Sequence, residues 1–122
     1  MAKKRSEFVE YVVDLLQPMG HIRARAMFGG WGLYKDDLMF GLFADDVLYL
    51  KVDDENKQHF IDEDLGPFMY EREDKAPVAM SYYEAPASIY DNEEQALHWA
   101  DIGYGAALRQ QKKKPKKRKK KT

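Results

Sequence analysis

The chain has 122 residues, 44% of them apolar and 34% charged, which suits one globular domain built around one core. It contains no cysteine, which excludes disulfides, thiolate chemistry and cysteine–zinc sites and fits a reducing compartment. A net charge of −1 hides a division: residues 112–121 hold nine of the 20 Lys/Arg and no acid, while the other eleven face all 21 Asp/Glu, so the body is near −10 and the tail near +9.

No apolar run approaches the roughly 20 residues that cross a bilayer, so no membrane span is expected. Met1-Ala2-Lys3-Lys4-Arg5 is basic, but Glu7 and Glu10 follow where a secretion signal would carry an apolar core. The expectation is a cytoplasmic protein.

Residues 6–19 read as an amphipathic helix. Phe8, Val12, Leu15, Leu16 and Met19 share one face, Ser6 is the candidate N-cap, and Pro18 with Gly20 ends the run. From residue 23 to 52 the period changes to two. Strands are expected at about 24–28, 31–35, 38–43 and 47–52, separated by Gly29-Gly30, Asp36-Asp37 and Asp45-Asp46. Spacers this tight favour antiparallel hairpins over crossovers. In the fourth strand Leu48, Leu50 and Val52 form the expected core face, and Val47, Tyr49 and Lys51 the other.

Asp53 or Asp54 is the expected cap of a helix over about 54–63, anchored by Phe60 and Ile61. Gly66-Pro67 breaks the chain. Residues 68–71 and 78–83 read as two further strands, joined by an acidic loop. Asp91 with Glu94 resembles a capping box, and a last helix runs to about 111 with Ala96, Leu97, Ala100, Tyr104, Ala107 and Leu108 as its apolar stripe. Gly103 and Gly105 predict either close helix–sheet contact or a weak helix end. The order α-β-β-β-β-α-β-β-α gives an α+β fold: a two-layer sandwich with an antiparallel sheet of about six strands and three helices. Residues 1–111 form the domain. The tail, 112–122, lacks apolar residues apart from Pro115 and is expected to be disordered when free.

Four ordered blocks then carry a resemblance. They are Met27-Phe28-Gly29-Gly30-Trp31-Gly32-Leu33-Tyr34, Leu48-Tyr49-Leu50-Lys51-Val52-Asp53, Pro67-Phe68-Met69-Tyr70 and Ser81-Tyr82-Tyr83-Glu84-Ala85-Pro86. Together they resemble the N-terminal domain of the TfoX/Sxy family of bacterial competence regulators. The resemblance implies a YgaC/TfoX-N-like fold, a strongly bent antiparallel sheet with helices packed on it. It also implies a non-enzymatic part in competence or transcription control. Full-length regulators of this family carry a second, helical domain, where this chain has only its lysine tail.

Candidate sites are weighed against plainer readings. Gly29, Gly30 and Gly32 precede a strand, with no helix N-terminus to hold a phosphate, so they read as a structural turn. His21, His59 and His98 lack metal-ligand spacing, and the acids at 53–55 and 62–64 lack that of a calcium loop. No metal or cofactor is expected. Ser81 lacks a nucleophile elbow, and no residue is assigned as catalytic.

The aromatic set Tyr34, Tyr49, Tyr70, Tyr82 and Tyr83, with Arg25 and Lys51, is the best site candidate, because tyrosine couples an apolar body to a polar tip. Trp31, just past the Gly-Gly turn, joins it as a candidate interface residue. The expected contact set is Arg25, Trp31, Tyr49, Lys51, Tyr82 and Tyr83, for a protein partner or a second copy of the chain. A small-molecule or catalytic site on the same Tyr/Lys face is the alternative. Lys112, Lys113, Lys114, Lys116, Lys117, Arg118, Lys119, Lys120 and Lys121 suit non-specific nucleic-acid binding, or fold back on the acidic body. They include no ring for base stacking.

Overall fold

A computed structural model describes residues 7–27, 30–72 and 75–113, with backbone alone at 70–72, 75–80 and 113. Helix α1 (Glu7–Leu15) leads through a 3₁₀ turn (Gln17–Met19) into strands β1 (Ile22–Met27), β2 (Gly30–Lys35), β3 (Leu38–Ala44) and β4 (Val47–Lys51). A short helix α2 (Lys57–Asp62), strands β5 (Pro67–Arg72) and β6 (Lys75–Glu84), a second 3₁₀ turn (Ala87–Tyr90) and helix α3 (Glu93–Lys113) complete it. The six strands form one open antiparallel sheet, ordered β1-β2-β3-β4-β6-β5. The expected α+β class and element order both hold.

Boundaries moved where local chemistry forces them. The first helix stops at Leu15 ahead of Pro18, which has no N–H to continue the ladder and sits in the 3₁₀ turn that follows. Asp53 Oδ1 accepts the backbone N–H groups of Glu55 and Asn56, so the chain turns once there and α2 starts only at Lys57. The cap of α3 is Asn92, whose Oδ1 accepts the N–H of Gln95. Asp91, the residue expected there, is helical (φ −79°, ψ −36°), and an N-cap needs extended backbone. Helix α3 runs through Lys113, two residues beyond its expected end.

The hairpins β2–β3 and β3–β4 turn on Asp36-Asp37 and Asp45-Asp46, all four at φ between 51° and 68°. Positive φ at both central residues is the signature of a type I′ turn, whose twist matches that of antiparallel strands. Asp is among the few residues with a side chain that accept that region.

All three helices lie on one face of the sheet. Val9, Val12, Val13 and Leu16 of α1 join Leu33, Phe40, Phe43, Leu48 and Leu50 from the strands and Ala96, Trp99, Ala100 and Ala107 from α3 in one cluster. Phe60 of α2 packs on Trp99 and Tyr83. A bulge in β3 between the pairs Leu33–Gly41 and Tyr34–Met39 turns Phe40 into this core, against Tyr104. Helix and sheet touch at Gly103, where a Cβ would sit 3.2 Å from Leu50 Cβ and 3.3 Å from the Phe40 carbonyl oxygen. Of the two readings offered for Gly103 and Gly105, close helix–sheet contact is realised at Gly103, whereas a Cβ on Gly105 would meet only the Arg109 guanidinium of the same helix.

Candidate functional site

The sheet face away from the helices is read off the alternation of β4. Leu48 and Leu50 are fully buried toward the helices, so Tyr49 and Lys51 point the other way. Lys51 pairs with Tyr82 across β4 and β6, and its Nζ lies 5.0 Å from the centre of the Tyr82 ring. On β1 and β2, Arg25 pairs with Gly32. Gly32 has no side chain, and the space is taken by Met27 and Tyr34: a Cβ there would come within 2.8 Å of Met27 Sδ and 2.9 Å of Tyr34 Cε1. The Arg25 guanidinium leans over the Tyr34 ring, 5.4 Å from its centre. Met39 pairs with Tyr34 and lies on β3 between Tyr34 and Lys51.

A row therefore crosses the sheet: Arg25 and Tyr34 at one end, Met39 in the middle, Lys51 and Tyr82 at the other. Burial is the main cause that pushes the Tyr82 phenol up to about 12, and the charge of Tyr34 is the second. Strands β2 and β6 are three ladder spacings apart, about 14 Å on a flat sheet. Burial also pulls the Lys51 ammonium below its ordinary value, against the opposing pull of Asp53. Arg25 and Lys51 each stack on a ring instead of a carboxylate, whereas Arg23 on the same strand pairs with Asp37.

The expected contact set is split by the sheet. Arg25 with Tyr34, and Lys51 with Tyr82, form two cation–ring pairs on the same outer face. Tyr49 lies on the same face but against Phe68, ring centres 4.9 Å apart, and its phenol is raised by burial and then by Glu84 and Asp45. Tyr83 pairs with Leu50 and packs on Phe60, on the helix side. Trp31 also packs against the core, opposite Phe43. Gly30 serves close approach: a Cβ would lie 2.2 Å from the Phe43 carbonyl oxygen. Gly29, the Tyr70 side chain and residues 114–122 lie outside the described residues, so of the basic segment only Lys112 and the Lys113 backbone are described, both in α3.

A second polar cluster joins the end of β4 to α3. Arg109 Nε donates to Asp53 Oδ2 at 2.6 Å and its Nη2 to Asp53 Oδ1 at 3.0 Å. The Asp53 carboxyl is held below its usual range, first by the hydrogen bond from Arg109. Asn56, 4% exposed, donates from Nδ2 to the Lys51 and Ile102 carbonyls and accepts the Asp53 N–H at Oδ1. Neither Asn56 nor Arg109 stands out in the sequence, because each is defined by a partner distant along the chain.

The TfoX N-terminal domain family model matches residues 14–107, which span every strand and most of α3. The chain belongs to the TfoX N-terminal domain family. It is similar to Protein Sxy of Escherichia coli (strain K12), 25% identical over 97 residues that make up 80% of this chain and 46% of that protein. It is also similar to DNA transformation protein TfoX1 of Aliivibrio fischeri, 28% identical over 92 residues, 75% of this chain and 43% of that protein. The chain thus spans less than half the length of these curated relatives.

Within this TfoX N-terminal domain the outer row and Asp53 fall inside the matched span, while Arg109 and the basic segment lie beyond it. An open groove of about 550 Å³ between the first 3₁₀ turn and α3 is lined by Met19, Lys35, Leu97, His98, Glu94 and Asp101. His59 and His98, distant in sequence, both pack edge-on against Trp99. No group of three or more His, Asp or Glu side chains placed to hold a metal occurs among the described residues. Among them, no helix is long and apolar enough to cross a membrane.

Proposed function

We propose that this TfoX N-terminal domain is a non-enzymatic regulatory module acting, in the cytoplasm, in the control of DNA transformation or transcription. In this reading the folded body holds a partner and the basic segment adds weak, sequence-independent contact with nucleic acid. The family match over residues 14–107 carries the first part, together with a curated relative named as a DNA transformation protein. The charge division carries the second: a body near −10 repels a duplex, so nine Lys/Arg at 112–121 are left to meet phosphates. A protein partner, or a second copy, has the edges of β1 and β5 to add to.

The test compares the full chain with a full-length variant in which Lys114, Lys116, Lys117, Arg118, Lys119, Lys120 and Lys121 are glutamine. Binding to DNA and RNA of mixed sequence is measured across a salt series. The full chain is expected to bind both at low salt without sequence preference, with affinity falling steeply as salt rises because each contact releases counterions. The glutamine variant is expected to lose this binding. Equal binding by both proteins, or none by either at low salt, overturns the role given to the basic segment.

A further inference from the structure

The geometry points to the outer sheet face as a binding site for a small amphipathic anion: a flat apolar body seated over Met39, carrying a carboxylate or phosphate at the Lys51 and Tyr82 end of the row, with Arg25 and Tyr34 at the other end. The inference uses the folded body alone and is independent of the basic segment.

Charge complementarity selects the occupant. The body has an excess of about ten acids, yet among the described residues the two cations on this row form no ion pair and rest on rings. Two other arginines are neutralised by neighbours, Arg23 by Asp37 and Arg109 by Asp53. Lys51 is held instead on a tyrosine face at a partly desolvated position, where an incoming oxyanion would be screened less than in bulk water. The Tyr82 hydroxyl donates to no described residue, and its phenol, pushed up to about 12, is a donor for the same oxyanion. Of the described acids near this row, Asp53 is held by Arg109, Glu84 is opposite Tyr49, two positions along β4 from Lys51, and Asp37 is engaged with Arg23.

The apolar half of the ligand is specified by what lies between the cations. Met27 and Met39 are half-buried beside the space left by Gly32, and the flanking rings stand on either side. Methionine adapts to irregular shapes and packs well on aromatic rings. A ligand with charge but no apolar body would leave this floor wet. One with an apolar body but no charge would leave Lys51 uncompensated.

The experiment titrates the full chain with phenyl phosphate, benzoate, inorganic phosphate and benzyl alcohol, following backbone amide shifts. Phenyl phosphate or benzoate is expected to move the amides around Tyr34, Met39, Lys51 and Tyr82, with inorganic phosphate and benzyl alcohol at least tenfold weaker. Response to phenyl phosphate alone assigns a phosphoryl ligand, and response to benzoate alone a carboxylate. Lys51→Met and Tyr82→Phe, which both keep the apolar surface, should each weaken binding about tenfold while thermal melting stays unchanged. Shifts confined to residues 112–122, shifts insensitive to both substitutions, or no shift at millimolar ligand overturn the site. None of these results bears on the salt-dependent nucleic-acid test, so the two readings fail separately.

Discussion

Arg109 grips Asp53 with two nitrogens, at 2.6 and 3.0 Å, across 56 positions of the chain. The pair ties the last turns of α3 to the turn that leaves β4, beside the buried Asn56 that binds the Lys51 and Ile102 carbonyls. It therefore sits directly behind the strand end that presents Lys51.

Breaking this pair has a calculable pH signature. Arg109 holds the Asp53 carboxyl below its usual range, so the bond stabilises the fold fully above the unfolded value of about 3.9. The contribution is lost as pH falls through the lower, folded value. Arg109→Met is expected to cost about 1 kcal/mol at pH 7, the guanidinium being partly exposed. The difference from the unmodified chain should shrink as pH drops from 5 toward 2. Urea unfolding over that range measures it, and a constant difference contradicts the assignment.

Gly30 and Gly66 make opposite predictions. A Cβ on Gly30 meets the Phe43 carbonyl oxygen at 2.2 Å, while one on Gly66 meets nothing within 4 Å. Gly30→Ala must push β3 away from β2 and is expected to cost about 3 kcal/mol. Gly66→Ala should fall within about 0.5 kcal/mol of the parent. Paired thermal melts distinguish the two.

Asp46 is expected to be improvable. It holds φ at 60° in the second position of a type I′ turn, where glycine is preferred. Asp46→Gly removes a left-handed strain of about 1 kcal/mol or more, less the extra entropy of glycine in the unfolded chain. A net gain of about 0.5 kcal/mol, or a rise of roughly 2 °C in melting temperature, is expected. A fall in melting temperature would mean that the Asp46 side chain itself holds the turn.

At the start of α3, Asn92→Ala should cost about 1 kcal/mol and Asp91→Ala less than half of that. The reason is the hydrogen bond from the Gln95 N–H, which Asn92 accepts. Urea midpoints of the two variants decide the order, and a larger loss from Asp91→Ala would reassign the cap.

How far the site was legible follows from the range of each signal. Alternation along 47–52 placed Lys51 and Tyr49 opposite Leu48 and Leu50, and the structure keeps that division. The same rule, applied across the register of paired strands, separates Tyr83 and Trp31 from Tyr82 and Arg25. Register is a property of strand pairs, so composition alone grouped all the aromatic residues together. Asn56 and Arg109 were invisible for the same reason.

The residues by themselves determined the α+β class, the hairpin turns at paired aspartates, the apolar faces and the charge division, because each depends on periodicity or composition within a few neighbours. Only the tertiary structure decided which side of the sheet Tyr82 and Tyr83 occupy, that Gly30 makes room for a backbone oxygen, that Phe40 bulges into the core, and that two cations of the outer face rest on rings. Those outcomes depend on contacts between segments tens of residues apart, where sterics and electrostatics act through space and leave no local pattern.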